Sequence, residues 1–172
     1  MLSDLPGRID LQYFDSEQNP LLDHMVAFER RREGPAGLFI DPSNAGKLII
    51  ALDIRILSSA PQVASTLAHE LAHVHLLGDR RLKPEEEDHE QLADLLTVFF
   101  GMGIIAANAA FHFSQWQYGQ WGGWSAGRSG YLTEEEYGWA LANYAWLRDE
   151  CKPDWANHLS DRKSTRLNSS HT

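Results

Sequence analysis

Apolar residues recur along this chain with two periods. Between Lys47 and Leu57 the period is two: Leu48, Ile50, Leu52, Ile54 and Ile56 share one face, and Asp53 and Arg55 fall on the other. That alternation predicts a half-buried strand. Directly after it the period becomes helical. Val63, Leu67, Leu71 and Val74 form a stripe, with Ser59 placed as N-cap, Pro61 in the first turn and Gly78 as the stop. Upstream, Ile9, Leu11 and Tyr13 alternate over Arg8–Phe14 and predict a short strand. Asn19-Pro20 then opens an amphipathic helix carrying Leu21, Leu22, Met25 and Phe28. The run Arg30-Arg31-Arg32 is read as its solvated end, where cations suit the helix dipole. Turn residues at Gly34–Gly37 and Pro42–Gly46 bracket Leu38–Asp41, which predicts a hairpin with the Lys47–Leu57 strand.

Beyond Gly78, Pro84 is expected to open a helix whose first turn holds Glu85, Glu86, Glu87 and Asp88. Acids there complement the dipole. Leu92, Leu95, Leu96, Val98 and Phe99 continue it, Gly101-Met102-Gly103 weakens it, and a second apolar piece runs from Ile104 to Phe113. The nearly uncharged run Leu95–Phe111 is 17 residues long and contains two glycines, Thr97 and Asn108. A membrane span needs about 20 apolar residues, so a kinked core helix is the favoured reading. Gln115–Tyr131 interleaves Trp116, Tyr118, Trp121 and Trp124 with glycines and is expected to be an irregular loop. Thr133-Glu134-Glu135-Glu136 is a capping box, opening a last helix that ends near Asp149.

The chemistry concentrates in the second of these elements. His69-Glu70-Leu71-Ala72-His73 places two imidazoles four residues apart, hence on one face of the helix. Two neutral imidazoles so spaced can hold one zinc ion, and Glu70 lies where a carboxylate can take a proton from an activated water. A catalytic site needs a third protein ligand. Glu90 is the first choice, with His89, Asp94 and Asp88 as alternatives. Glu90 and Asp94 are also four apart and share a face. Asp94 is then placed to accept the second ring N–H of a ligating histidine, with His69 the expected donor. His75 points off this face, and neither His24 nor His112 has a visible partner.

His-Glu-x-x-His on one helix, followed by Glu90-x-x-x-Asp94 on the next, resembles the gluzincin class of zinc metallopeptidases. The resemblance covers Leu48 to Phe100, about a third of the chain. It implies an α+β, compact zincin-like (minigluzincin) domain: a small, mostly antiparallel sheet on the active-site helix, with further C-terminal helices. It implies Zn2+ held by His69, His73 and Glu90, Glu70 as general base, Asp94 behind a ligand, and a peptide or protein as substrate. Members of the class stabilise the oxyanion with a Tyr or His from elsewhere, for which Tyr131, Tyr137, His112 and Arg128 are candidates. Trp121 is a candidate for the cleft wall, and the Lys47–Leu57 strand for pairing with an extended substrate. The metzincin pattern is excluded by Leu76 and Asp79, which stand where it needs Gly and His. Two other readings compete: an inactive zincin-fold module that binds a peptide or partner through its aromatic segment, and a membrane-associated sensor protease.

Composition narrows the setting. Net charge is −9; residues 161–172 hold three basic residues and one acid and read as a translated sequencing adapter, so without them it is −11. An acidic chain argues against nucleic acid or an anionic membrane as partner. The evolved sequence is expected to be one domain over residues 1–160, cut short at its C-terminus. Cys151 is the only cysteine and Met1–Asp10 carries no signal pattern, so a cytoplasmic location is expected.

Overall fold

Three strands, β1 (Ile9–Phe14), β2 (Gly37–Ile40) and β3 (Leu48–Asp53), form one sheet in the order β1-β3-β2. The computed structural model describes residues 9–16, 35–42, 47–118 and 132–160, with backbone alone over 111–118. β2 runs antiparallel to β3, with Gly37 opposite Leu52 and Ile40 opposite Ile49, as the expected hairpin requires. β1 runs parallel to β3, with Ile9 opposite Leu48 and Phe14 opposite Asp53. The sheet is therefore mixed rather than mostly antiparallel. The stretch between β1 and β3 is long enough for the crossover that a parallel pair needs. β3 is flanked on both sides, so it has no free edge for a substrate strand, contrary to the expectation for Lys47–Leu57.

β3 also ends earlier than its alternation suggested. Asp53 is completely buried instead of facing outward. Its carboxylate accepts the Arg55 backbone N–H at 2.9 Å and the Arg55 guanidinium at 2.7 and 2.9 Å. This caps a 3-10 turn over Ile54–Ser58 and leaves Ile54 and Leu57 exposed. Burial works against the Asp53 carboxylate, but the bonds from Arg55 hold its pKa below the usual value.

Helix α1 (Ala60–His73) follows directly. Leu48, Ile50 and Leu52 of β3 join Ile56 and Val74 in one buried cluster, and Val63, Leu67 and Leu71 pack against it. Each such side chain contributes about 1.5–3 kcal/mol when fully buried, so the stripe fixes the rotation of α1 on the sheet. The opposite face, with His69 and His73, is turned toward the next helix. A π-helical turn, Val74–Gly78, ends α1.

The next helix, α2, spans His89–Thr97 and does not begin at Pro84. Residues 84–88 form turns, in which Lys83 C=O accepts Glu86 N–H. Glu86 C=O accepts both the backbone N–H and the ring Nδ1–H of His89. A continuous helix would give that carbonyl to Glu90, so the acids at 85–87 sit in exposed turns. A π-helical turn over Val98–Met102, with Gly101 at φ 85°, links α2 to α3 (Gly103–Tyr118). His89–Ala110 is one helix long and apolar enough to cross a membrane by length and composition. Ala93, Val98, Ala106, Ala107 and Ala109 are nonetheless buried within the fold.

Helix α4 (Glu134–Leu147) begins with the expected capping box between Thr133 and Glu136. Tyr137, Ala140 and Leu141 pack with Val98, Ala106, Ala107 and Leu132 in a second cluster. Asn108, the amide inside the apolar run, clamps the C-terminal 3-10 turn Asp154–His158. It donates to His158 C=O and accepts from Ser160 N–H, each at 2.8 Å. The expected helix from Pro20 to Arg32 and the tail 161–172 lie outside the described residues. Of the loop expected over Gln115–Tyr131, Gln115–Tyr118 instead continue α3 and the remainder lies outside them too.

Candidate metal centre

Because α1 is fixed on the sheet by its apolar stripe, His69 and His73 both project toward α2, one turn apart. Glu90 meets them from the first turn of α2. His69 Nε2 lies 3.0 Å from Glu90 Oε2, His73 Nε2 lies 3.1 Å from His69 Nε2, and His73 Nε2 lies 3.3 Å from Glu90 Oε2. Ligands held tetrahedrally by one zinc at about 2.0–2.2 Å stand roughly 3.3–3.6 Å apart, so a small outward shift of the side chains would admit the ion. The three donors thus converge on the volume of a single ion, and their chemistry, two imidazoles and a carboxylate, suits a divalent metal.

Around these donors the carboxylates are placed unequally. Asp94, one turn along α2 and nearly buried, sets Oδ1 2.8 Å from His69 Nδ1. His69 therefore has a carboxylate at each ring nitrogen. Burial disfavours its imidazolium, but Asp94 and Glu90 outweigh burial and raise its pKa to about 10. Burial likewise disfavours the Glu90 carboxylate, yet hydrogen bonds from His69 and His73 hold its pKa far below the usual range. The ring nitrogen His73 Nδ1 is buried without a hydrogen-bond partner among the described residues.

Glu70 stands apart from the cluster, on the side of the sheet. It is 6% exposed, and burial lifts its pKa to about 7, with His69 pulling it down and Glu90 pushing it up. Its carboxylate accepts the backbone N–H of Phe39 on β2. Gly37 makes that approach possible: a Cβ there would lie 2.5 Å from Thr66 Cγ2 and 2.7 Å from Glu70 Oε1. β2 is an outer strand of the described sheet, so the edge beside Glu70 is β2, not β3.

The other candidates fall in different places. Tyr137 is 1% exposed and its hydroxyl bonds Asp94, so it is inside the core rather than in a cleft as an oxyanion donor. Burial, reinforced by Asp94, pushes its pKa far up and keeps it a proton donor. His75 pairs with Asp79 at 3.4 Å and lies tilted against Phe100, outside the donor group. Tyr131, Arg128, Trp121 and His24 lie outside the described residues, as does the side chain of His112. His89, considered in sequence only as an alternative third ligand, occupies a different position. Its Nε2 lies 3.3 Å from Glu90 Oε1, the oxygen that the other histidines leave open. The only sequence signal for that role was its adjacency to Glu90.

Compared with known protein families, with curated proteins and with solved structures, the chain gives no match. What is established is an α+β fold with a mixed three-stranded sheet, and a His69/His73/Glu90 group able to hold a metal ion.

Proposed function

We propose that this chain is a zinc-dependent metallopeptidase of the gluzincin type, hydrolysing peptide bonds. The observation that carries the reading is the convergence of His69 Nε2, His73 Nε2 and Glu90 Oε2 within 3.3 Å, with Glu70 on the adjacent position of the same helix. His69, His73 and Glu90 would hold the ion, and Asp94 would orient His69. Bound there, zinc would supply a Lewis acid that polarises the scissile carbonyl and acidifies water.

The residues of the chain do the rest. Glu70, adjacent to the first ligand and held by the Phe39 N–H, would accept a proton from the attacking water and return it to the leaving amine. The Phe39 N–H fixes one carboxylate oxygen and so aims the other. An extended peptide added to the β2 edge would pass beside Glu70, with main-chain hydrogen bonds setting its register.

The test is a peptide-hydrolysis screen of the zinc-loaded full chain beside Glu70→Gln. The reading expects cleavage that falls by about 10²–10⁴-fold in the variant, with zinc still bound. Equal cleavage by both proteins would overturn it.

A further inference from the structure

Asp94 is gripped from two helices. Its Oδ1 faces His69 on α1, while Oδ2 accepts the Leu132 backbone N–H at 3.2 Å. The Tyr137 hydroxyl bonds the same carboxylate. Leu132 and Tyr137 belong to one structural unit, the start of α4. Leu132 precedes the N-cap Thr133, and Tyr137 sits one turn in, its backbone N–H bonded to Thr133 C=O at 3.0 Å. The capping box therefore sets both donors at once. Tyr137 is also among the largest fully buried side chains, packed with Val98, Ala107 and Leu141. A phenol this deep needs a polar partner, and a buried carboxylate needs donors; each supplies the other.

We propose that Tyr137 is a positioning residue that, together with the Leu132 N–H, fixes Asp94 against His69 and so couples the docking of α4 to metal binding. This rests on the metal-centre reading above. The orientation of Asp94 decides the orientation of the His69 ring, and the ring decides where Nε2 points. Groups that orient metal ligands are commonly worth 10–100-fold in metal affinity. Tyr137 acts one bond further out, so the lower end applies. Linkage makes the effect reciprocal: whatever tightens His69 on Asp94 also tightens Leu132 and α4.

The experiment measures zinc affinity of the full chain by competition with a chelator of known affinity. Tyr137→Phe keeps the ring and removes only the hydroxyl; its zinc dissociation constant should rise about tenfold. In an Asp94→Ala background the same replacement should change the constant by less than about twofold, because the group it acts through is gone. A second readout needs no variant: hydrogen exchange at the Leu132 amide should slow when zinc is added. A Tyr137→Phe affinity within twofold of wild type, an undiminished effect in the Asp94→Ala background, or an unchanged Leu132 exchange rate would each overturn the inference and leave the metal site standing. Failure of the wild-type chain to bind zinc would overturn both.

Discussion

Replacing Glu70 by Gln should stabilise the metal-free protein at the same time as it removes the proposed base. Glu70 is 6% exposed, and its burial raises the pKa from 4.5 to about 7. A raised carboxyl pKa means that the folded state holds the proton more tightly than the unfolded state does. Stability is therefore highest below pH 4.5, falls as pH rises toward 7, and is then level. The rise from 4.5 to about 7 corresponds to about 3 kcal/mol. Gln has no charge to bury and keeps an oxygen for the Phe39 N–H, so it escapes this cost. Urea or thermal unfolding of chelator-treated protein at pH 5 and pH 8 gives the comparison. The advantage of Glu70→Gln should be small at pH 5 and approach 3 kcal/mol at pH 8, roughly 6–12 °C in Tm for a chain of this size. A stability difference that does not change between the two pH values would refute the reasoning, because the Glu70 charge would then be costing nothing in the fold.

Other outcomes follow from neighbouring residues. His69 has a pKa raised from 6.5 to about 10, so its contribution is full below pH 6.5 and is lost as pH rises to 10. Chelator-treated wild type should lose stability across that window, and His69→Ala should show a flatter profile. Gly37→Ala should cost about 1–3 kcal/mol in urea unfolding, since its Cβ would press on Thr66 and Glu70, and should reduce any turnover more than it reduces zinc content. Gly101→Ala, at φ 85° with the Tyr144 hydroxyl 3.1 Å from the new Cβ, should lower stability by about 1 kcal/mol or more. It should leave zinc affinity unchanged.

The parts of the fold that were legible in the sequence are those where one periodic signal decided the outcome. The stripe Val63, Leu67, Leu71 and Val74 could serve only as the buried face of α1, which left His69 and His73 on the other side. The four-residue spacing of Glu90 and Asp94 likewise survives as two carboxylates on adjacent turns of α2. What was not legible depended on individual side-chain contacts that override the period, or on pairings between distant residues. Asp53 alternates outward by period, but its carboxylate caps the turn that follows and is buried with bonds from Arg55. The start of α2 moved from Pro84 to His89 because the Glu86 carbonyl is taken by the His89 ring. The parallel pairing of β1 is a matter of crossover, which no local pattern encodes. Tyr137 looked like a cleft tyrosine only because the partner that buries it lies on another helix.

A group in which His69, His73 and Glu90 hold one metal ion is read out by metal content. The purified full chain, offered zinc at neutral pH and passed through a desalting column, should retain one zinc per chain by mass spectrometry. His73→Ala should retain none, and Glu90→Ala should hold it more weakly. Wild-type protein that retains no metal, or retains as much as both variants do, would contradict the account.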